Sequence, residues 1–159
     1  MRIGLGYDIH AYSKDRGRQL VLGGVVFPNA RALEGHSDAD VVLHAICDAM
    51  LGAFGLGDIG EHFPPGDPEW LDVDSLKLLS AVREMMPTGA ELGNIDVTVI
   101  AEQPKIGPRR GEMSATVAAA LGIDSSRVSI KATTNEGLGA IGRGEGIAAI
   151  AVVLMGGGD

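Results

Sequence analysis

The residues with the clearest potential for chemistry lie near the start of the chain, in the segment Gly4 to Ala11, which contains Asp8-Ile9-His10. Most of its other members are apolar, which favours a β-strand, and alternate side chains of a strand project from the same face. Asp8 and His10 would therefore lie side by side as two potential metal ligands. Taken alone, the pair is also typical of a simple Asp–His hydrogen bond at the end of a strand.

A third potential ligand lies in a segment that predicts a buried helix, Asp38 to Leu56, which is apolar nearly all round. One polar line interrupts it, because Asp40, His44 and Asp48 are spaced by four residues and share one face of the helix. Buried ionisable groups that have no partner are costly. We therefore expect a cation on this face. Asp38, at the start of the segment, is the expected N-cap of the helix.

These residues together predict a zinc site. Zn²⁺ bound by Asp8, His10 and His44 would provide the missing partner, and either Asp40 or Asp48 would then accept a hydrogen bond from an imidazole N–H in the outer sphere. Three protein ligands leave the fourth tetrahedral position open, which is the arrangement of a catalytic zinc site.

Two further stretches could bind phosphate groups. His36 and Ser37 directly precede the helix and form either an ordinary capping segment or, eight residues before His44, a pair that holds a phosphate beside the metal. The stretch Lys131 to Glu136 follows a predicted strand and either forms a turn or offers hydrogen-bond donors to a diphosphate. In the second case Glu136, a hard oxygen ligand, suits Mg²⁺ or Mn²⁺.

Three motifs with highly specific combined spacing follow one another: Gly4-x-Gly6-x-Asp8-x-His10, then Gly35-His36-Ser37-Asp38-x-Asp40-x-x-x-His44, then Gly57-Asp58-Ile59-Gly60. They resemble the 2-C-methyl-D-erythritol 2,4-cyclodiphosphate synthase family of the non-mevalonate isoprenoid pathway, and the likeness covers essentially the whole chain. The resemblance implies an enzyme that cyclises 4-diphosphocytidyl-2-C-methyl-D-erythritol 2-phosphate to the 2,4-cyclodiphosphate and releases CMP. It also implies one Zn²⁺ per subunit at the three ligands, and Mg²⁺ or Mn²⁺ bound together with the substrate.

The resemblance further implies roles for individual residues. His36 and Thr134 would stabilise the transition state, with Ser37 in a flexible substrate clamp beside His36, and Glu136 would bind the second metal. Arg143 would point into a central cavity on a threefold axis, although it could equally form a surface ion pair with Glu145. The implied substrate contacts are Ser37; Asp58, Ile59 and Gly60 at the ribose; Phe63 and Asp67; Ala101, Pro104, Lys105, Ile106 and Gly107 at the cytosine and phosphates; Thr133; and Arg143.

Length and charge limit the classes of protein to which the chain can belong. Its 159 residues favour one domain, which we place at residues 1–156, with a disordered tail at 157–159. Because 45% of the residues are hydrophobic and only 4% are aromatic, the core must be largely aliphatic. The net charge of −8 argues against a nucleic-acid partner. Phosphates of a substrate must then be bound by metals, backbone N–H groups and a few placed cations.

The single cysteine, Cys47, excludes an intrachain disulfide and indicates a reducing compartment. Cys47 lies near the polar line and could compete as a metal ligand, but a small core residue is the favoured interpretation. No apolar run approaches the length of a membrane span, so we expect no membrane partner. These features predict a cytoplasmic bacterial protein, with a processed plastid protein as the alternative.

The pattern of elements predicts the fold class. Strands are expected at 2–11, 19–27 (broken at Gly23-Gly24), 95–101, 128–134 and 146–154, and helices at 38–56, 74–86 and 110–121. Segment 55–72, rich in Gly, Pro and Asp, should be irregular. This alternation predicts an α/β domain of the two-layer α+β type, with a mixed sheet packed on helices. The family resemblance implies assembly as a homotrimer around a threefold axis, with active sites between subunits.

Two other classes of function are compatible with a metal site. A zinc-dependent phosphohydrolase would use the open metal position to activate water, and it needs an acid or histidine as general base, which no spacing reveals. A non-catalytic metal-binding or metal-storage module needs no organised phosphate site, so residues Thr133 to Glu136 would then tolerate substitution.

Overall fold

Strands and helices alternate along the chain in the computed structural model, which describes residues 1–64, 66–67, 70 and 73–158. The strands are β1 (Arg2–Ala11), β2 (Leu20–Leu22), β3 (Val25–Phe27), β4 (Glu91–Ile100), β5 (Val128–Thr133) and β6 (Gly146–Gly156). The α-helices are α1 (Val41–Phe54), α2 (Ile59–His62), α3 (Ser75–Met85), α4 (Arg110–Leu121) and α5 (Gly139–Gly142). Short 3₁₀ turns cover Gly107–Arg109 and Ser125–Arg127.

Four of the strands form one sheet in the order β1-β6-β4-β5, and β2 pairs with β3 in a separate hairpin. Strand β6 is antiparallel to both β1 and β4, whereas β4 and β5 are parallel. The chain therefore runs in the same direction in β1, β4 and β5, so the C-terminal ends of these three strands lie at the same end of the sheet. The predicted mixed sheet packed with helices is confirmed.

Helix α1 lies directly against β1 because two glycines remove the side chains that would separate them. A Cβ atom at Gly4 would lie 1.7 Å from the carbonyl oxygen of Ala49, and one at Gly6 would lie 1.9 Å from that of Ala45. Only residues without a Cβ permit such an approach of two backbones. Since alternate residues share a strand face, Asp8 projects from the same face of β1 toward the helix.

The core lies between α1, α3, α4 and the inner face of the sheet. Every residue of α1 is buried except Asp48, Gly52 and Phe54, which explains why its sequence is apolar nearly all round. Single rows of apolar side chains on α3 and α4, such as those of Leu79 and Met113, complete the core from the other helices. The predicted aliphatic core is confirmed.

The outer face of β1 carries the large apolar side chains of the strand. Ile3, Leu5, Tyr7 and Ile9 are 71%, 66%, 51% and 45% exposed. The glycines and the candidate ligands occupy the inner face instead. Strand β1 thus directs its polar residues toward the protein and its apolar residues toward the outside of the single chain.

Helix α1 begins later than predicted, and its N-cap is Asp40, so the prediction of Asp38 as N-cap is wrong. The Asp40 carboxylate accepts hydrogen bonds from the backbone N–H groups of Val42 and Leu43 at 3.0 and 3.1 Å. Asp38 instead accepts a hydrogen bond from the backbone N–H of Ser75, at the start of α3. Two aspartates spaced by two residues were both suitable caps, and the tertiary position of α3 distinguishes them.

Most of the remaining boundaries lie within two residues of prediction, but β4 begins at Glu91, four residues before its predicted start. Helix α3 has Asp74 as its N-cap, and α4 ends at Gly122 in the left-handed conformation favourable for glycine. The segment expected to be irregular contains α2, and residues 65, 68, 69, 71 and 72 of that segment lie outside the described residues. Asp159 of the predicted disordered tail also lies outside them, so the disorder of this tail stays a prediction. None of the helices in the described ranges is both long enough and apolar enough to cross a membrane.

Candidate metal centre and adjoining pockets

Three ligand atoms from β1 and α1 converge beside the C-terminal end of β1. Oδ2 of Asp8 lies 3.1 Å from Nε2 of His10 and 2.9 Å from Nδ1 of His44. One ligand atom from each residue lies within 4.8 Å of the other two. The close packing of α1 on β1 produces this convergence, and it confirms the predicted cluster of Asp8, His10 and His44 as one able to hold a metal ion.

The hydrogen-bond partner of His10 fixes which of its ring nitrogens faces Asp8. Nδ1 of His10 lies 2.5 Å from the backbone carbonyl oxygen of Glu34, which can only accept, so Nδ1 carries the hydrogen and donates. In the neutral ring Nε2 then presents its lone pair to Asp8. An imidazole whose second nitrogen donates to a backbone carbonyl is the usual arrangement of a metal-binding histidine.

His44 is oriented through a chain of side chains. Its Nε2 lies 3.0 Å from Oγ of Ser75, and the Ser75 hydroxyl donates to Oδ1 of Asp38 at 2.5 Å. Oγ of Ser75 therefore accepts the hydrogen from Nε2 of His44, which leaves the lone pair of Nδ1 directed at Asp8. With both imidazoles neutral, three electron-pair donors surround one point, and a cation is the partner that such a donor set fits.

Either Asp40 or Asp48 was expected to accept a hydrogen bond from an imidazole, and that prediction is wrong, because the second ring nitrogens of His10 and His44 face the Glu34 carbonyl and Ser75 instead. Asp40 instead accepts hydrogen bonds from four backbone N–H groups, those of Gly23, Gly24, Val42 and Leu43. Burial raises the pKa of Asp40 to about 6, against the opposing effect of the Gly24 N–H. The carboxylate therefore joins the β2–β3 hairpin to the N-terminus of α1 and does not contact the candidate metal ligands.

The sequence did not identify two of the groups that orient the histidines, the hydroxyl of Ser75 and the carbonyl of Glu34. Ser75 is fully buried, and it reaches His44 from a helix that begins 31 residues later in the chain. Ser37 also lies 3.2 Å from Nε2 of His44 and accepts a hydrogen bond from the N–H of Ala39. No regular spacing signals these contacts, because they depend on how α3 packs beside α1.

The pKa values of Asp8 and His10 reflect their mutual attraction. Burial alone would raise the pKa of Asp8, but hydrogen bonds and charge interactions with His10 and His44 outweigh burial and hold that pKa well below its ordinary value. Burial alone would lower the pKa of His10, yet Asp8 and the Glu34 carbonyl outweigh it and raise that pKa. In the metal-free protein a proton on His10 therefore partly substitutes for a cation.

Cys47 is a core residue and not a competing ligand. Its side chain is fully buried, and burial together with the nearby Asp48 raises the pKa of the thiol. The metal-binding cluster found among the described residues contains Asp8, His10 and His44 without Cys47. The interpretation of Cys47 as a small core residue is confirmed.

A pocket of about 310 Å³ opens beside the three candidate ligands. Nine of the residues singled out in the sequence line it, and the three candidate ligands are among them: Asp8, His10, His36, Ser37, His44, Ile59, Gly60, Phe63 and Asp67. The ring of Phe63 packs edge-on against Trp70 with 4.9 Å between the ring centroids, and both rings belong to the apolar part of the wall. The structure thus brings the predicted clamp, the metal cluster and part of the predicted ribose segment into one cavity.

Asp48 has a different role from the one expected, since it fixes the segment that follows α1. Its Oδ1 accepts a hydrogen bond from the N–H of Ile59 at 2.9 Å. Asp58 caps α2 by accepting a hydrogen bond from the N–H of Glu61, and its side chain is not among the groups that line the pocket. The predicted ribose contacts Ile59 and Gly60 therefore line the cavity, whereas Asp58 lies just beside it.

A second pocket, of about 280 Å³, lies at the C-terminal ends of β4 and β5. It contains six of the predicted substrate contacts, Ala101, Pro104, Lys105, Ile106, Gly107 and Thr133, together with the predicted catalytic residue Thr134. Arg110 also lines it and was missed, although its position three residues after Gly107 at the start of α4 could have indicated it. The parallel pairing of β4 and β5 explains why these two loops meet.

Thr134 and Glu136 form a small unit after β5. The hydroxyl of Thr134 donates to Oε1 of Glu136 at 3.1 Å and accepts from its backbone N–H at 3.3 Å. Glu136 is exposed and lies outside the Asp8 cluster. Two strands separate β1 from β5 in the sheet, so the two regions are on the order of 14 Å apart in a single chain.

Arg143 lies on the surface beyond α5. Its Nε donates to Oε1 of Glu145 at 2.6 Å, and both side chains are more than half exposed. The interpretation of the two residues as a surface ion pair is therefore confirmed for the single chain. Arg143 does not line either of the two pockets described above.

Comparison with known proteins gives relatives over almost the full length of the chain. A curated protein from Moorella thermoacetica named 2-C-methyl-D-erythritol 2,4-cyclodiphosphate synthase is 55% identical over 156 residues, 98% of this chain and 94% of its own. A protein of the same name from Symbiobacterium thermophilum is 57% identical over 158 residues, 99% of each chain.

Solved structures of similar proteins also match this chain over almost its full length. The structure titled IspF from Plasmodium falciparum, a CDP complex, has a TM-score of 0.84 at 38% identity and covers 97% of this chain and 94% of that one. The bifunctional IspDF of Campylobacter jejuni has a TM-score of 0.88 at 41% identity over 97% of this chain, which corresponds to 42% of that longer chain. The YgbB family profile matches residues 1–156. With this match, these full-length relatives and the Asp8–His10–His44 cluster, the chain belongs to the YgbB family.

Proposed function

We propose that this chain cyclises 4-diphosphocytidyl-2-C-methyl-D-erythritol 2-phosphate to 2-C-methyl-D-erythritol 2,4-cyclodiphosphate and releases CMP. The observation that carries the proposal is the cluster of Asp8, His10 and His44 in the wall of a pocket, in a chain whose full-length relatives are named for this reaction. The bacterial relatives also support a place in the cytoplasm.

The bonds that form and break in the proposed cyclisation define the role of each group in the metal pocket. An oxygen of the 2-phosphate attacks the β-phosphorus, and the bond from that phosphorus to CMP breaks, so that CMP leaves with the electron pair. Zn²⁺ held by Asp8, His10 and His44 supplies Lewis-acid polarisation of the β-phosphate when it is bound. His36 and Ser37 line the same cavity and donate hydrogen bonds to phosphate oxygens. The chain forms no covalent intermediate in this scheme.

The second pocket is the proposed site of the nucleotide. Lys105 supplies positive charge for phosphates, backbone groups of residues 101–107 face the cytosine, and Thr133 and Thr134 donate hydroxyls to the diphosphate. Glu136 is the proposed ligand of Mg²⁺ or Mn²⁺, and phosphate oxygens of the substrate would complete the coordination of that ion. The CDP named in the titles of two solved relatives supports a cytidine diphosphate ligand of this kind.

The same proposal includes a homotrimer with active sites between subunits. The metal pocket and the nucleotide pocket have no lining residue in common, and a partner subunit can place one beside the other. The apolar outer face of β1, formed by Ile3, Leu5, Tyr7 and Ile9, supplies a surface whose burial would stabilise the assembly. Arg143, near the end of α5, would then lie beside the central cavity.

Light scattering at the assay concentration tests the assembly. We expect a mass of three chains for the wild type and a smaller species for Leu5→Lys, because the added charge lies on the proposed interface. Met85→Lys, which changes an exposed apolar residue at the end of α3, serves as the matched control and should leave the mass unchanged. A fully active monomer would contradict the proposal of shared sites.

One assay distinguishes the proposed reaction from the two alternatives. The protein is incubated with the cytidine diphosphate substrate, Zn²⁺ and Mg²⁺ in water labelled with ¹⁸O, and the products are followed by phosphorus NMR and mass spectrometry. CMP together with an unlabelled cyclic diphosphate supports the cyclase. A linear phosphate that contains ¹⁸O identifies a phosphohydrolase, and unchanged substrate leaves a non-catalytic metal-binding module.

A further inference from the structure

The two loops of the candidate nucleotide pocket are joined by the side chain of Glu102. Its Oε1 accepts hydrogen bonds from the backbone N–H groups of Asn135 at 2.9 Å and Gly137 at 3.4 Å. Glu102 belongs to the loop after β4, whereas the two amides lie immediately before and after Glu136 in the loop after β5. One carboxylate oxygen therefore holds the backbone on both sides of the proposed metal ligand.

The backbone of Glu136 has a conformation that needs such support. Its φ is 50°, in the left-handed region that residues with a Cβ rarely adopt. Conformations of this kind persist only where the surrounding contacts determine them. Thr134 supplies a local contact through its hydroxyl, and Glu102 supplies a contact from a separate loop.

The position of Glu102 is unexpected for a residue that only lines an anion pocket. A carboxylate in the wall of a pocket for a diphosphate would repel the ligand unless its charge were neutralised. The two backbone N–H groups partly neutralise it, and hydrogen bonds to an ionised acceptor are stronger than those to a neutral one. The acid is therefore suited to hold the neighbouring loop and not to contact the substrate.

We infer that Glu102 is a positioning residue that presets the loop of residues 134–137, so that the Thr134 hydroxyl and the Glu136 carboxylate are in place before the diphosphate binds. The inference rests on the proposed function for the role of Glu136. It also links the loop that faces the base to the loop that faces the phosphates, so that contacts with the cytosine stabilise the geometry at the diphosphate.

Amide hydrogen exchange of the ligand-free protein tests the hydrogen bonds without any assay of activity. In Glu102→Ala the amides of Asn135 and Gly137 should exchange about tenfold faster, because they lose their acceptor. Glu102→Gln keeps a carbonyl oxygen at the same place and should retain most of the protection. Glu84→Ala, an exposed acid on α3, is the matched control and should leave both amides unchanged.

The Mg²⁺ response of turnover tests the positioning role. Glu102→Ala should raise the Mg²⁺ concentration for half-maximal activity about tenfold, as loss of an outer-sphere partner does, with unchanged zinc content. Glu102→Gln should restore a response near that of the wild type, which a general loss of stability would not do. Glu136→Gln, which removes the proposed ligand itself, is the positive control.

Each unfavourable result has a separate meaning. Unchanged amide exchange in Glu102→Ala, or a wild-type Mg²⁺ response in that variant while Glu136→Gln responds, overturns the inference about Glu102. A wild-type Mg²⁺ response in both variants overturns the role of Glu136 in the proposed function, and the positioning role of Glu102 falls with it. A wild-type protein that forms no cyclic product overturns the proposed reaction, even if the exchange data show the Glu102 hydrogen bonds.

Discussion

The hydroxyl of Ser75 lies 3.0 Å from Nε2 of His44, and this contact determines which nitrogen of His44 faces Asp8. Ser75 can accept from His44 because its own hydrogen is donated to Asp38. The metal cluster is thus built from three elements, and α3 contributes to it without providing a ligand. The orientation of His44 should consequently depend on a residue that does not touch the metal.

Ser75→Ala should weaken zinc binding by about tenfold to a hundredfold, since the ring of His44 loses the group that fixes its tautomer. The dissociation constant is measured by competition with a chromogenic chelator. Ser80→Ala, on an exposed turn of the same helix, should bind zinc like the wild type. His44→Ala should lose bound zinc while the protein stays folded. Unchanged zinc affinity in Ser75→Ala would show that Ser37 alone can orient the ring.

Gly6→Ala should destabilise the protein by about 3 kcal/mol, because the new Cβ must displace the α1 backbone. The atom would lie 1.9 Å from the carbonyl oxygen of Ala45. Denaturant unfolding measures the change. Gly52→Ala, at an exposed position of α1 with open space around it, should instead stabilise by about 0.5–1 kcal/mol through the greater helix propensity of alanine. Equal stabilities for the two variants would contradict the close approach of α1 and β1.

The stabilisation that zinc gives should grow as the pH rises through the pKa of His10. That pKa is raised above 6.5 in the metal-free protein, so the proton on His10 stabilises the fold below the unfolded value and this contribution is lost as the pH rises through the folded value. The pKa of Asp8 is lowered, so its contribution to stability is complete above its unfolded value of 3.8 and is lost as the pH falls below that value, outside the range in which His10 titrates. Zinc must displace the proton, so its affinity falls with acidification.

Thermal unfolding with and without zinc, measured from pH 5 to pH 8, checks this dependence. We expect the difference between the two melting temperatures to widen with pH. His62→Ala, which changes a histidine outside the metal cluster, should retain the wild-type curve. A difference that is constant across the range would show that His10 does not exchange its proton for zinc.

Glu136→Gln should lower turnover and raise the Mg²⁺ requirement while zinc content stays unchanged. The carboxylate lies in the loop after β5, away from the zinc cluster, and a neutral amide is a weaker ligand for a hard cation. Zinc is measured by plasma emission spectrometry and the Mg²⁺ response by initial rates. Loss of zinc in this variant would mean that Glu136 belongs to the zinc site. Unchanged zinc content together with full activity and an unaltered Mg²⁺ response would mean that Glu136 binds neither metal.

The sequence predicted the metal cluster because the periods of the strand and the helix constrain it. Asp8 and His10 must share a face in any strand, and His44 follows on the polar side of a helix that could only be buried. It did not predict Ser75 or the true N-cap Asp40, because both depend on how α3 and the β2–β3 hairpin pack against α1. Contacts that arise from such packing have no regular spacing that a single sequence could reveal.

The nucleotide pocket illustrates the same limit. The family resemblance predicted most of its lining residues but gave no physical reason for their proximity. That reason is the parallel pairing of β4 with β5, which places two loops at one end of the sheet. Glu102 and Arg110 lie in the same pocket, and the sequence assigned no individual role to either of them. Their positions follow from the loops once the pairing is known.

The glycines of β1 also restrict the register in which that strand can pair. Shifting β1 by one residue along β6 would turn its apolar side chains inward. The hydrophobic effect alone would favour that register, because it would bury Leu5 and Tyr7. In that register, side chains would occupy the positions where Gly4 and Gly6 now meet the α1 carbonyls, and the helix could not approach. The space that admits only glycine therefore selects the pairing in which Asp8 and His10 reach His44.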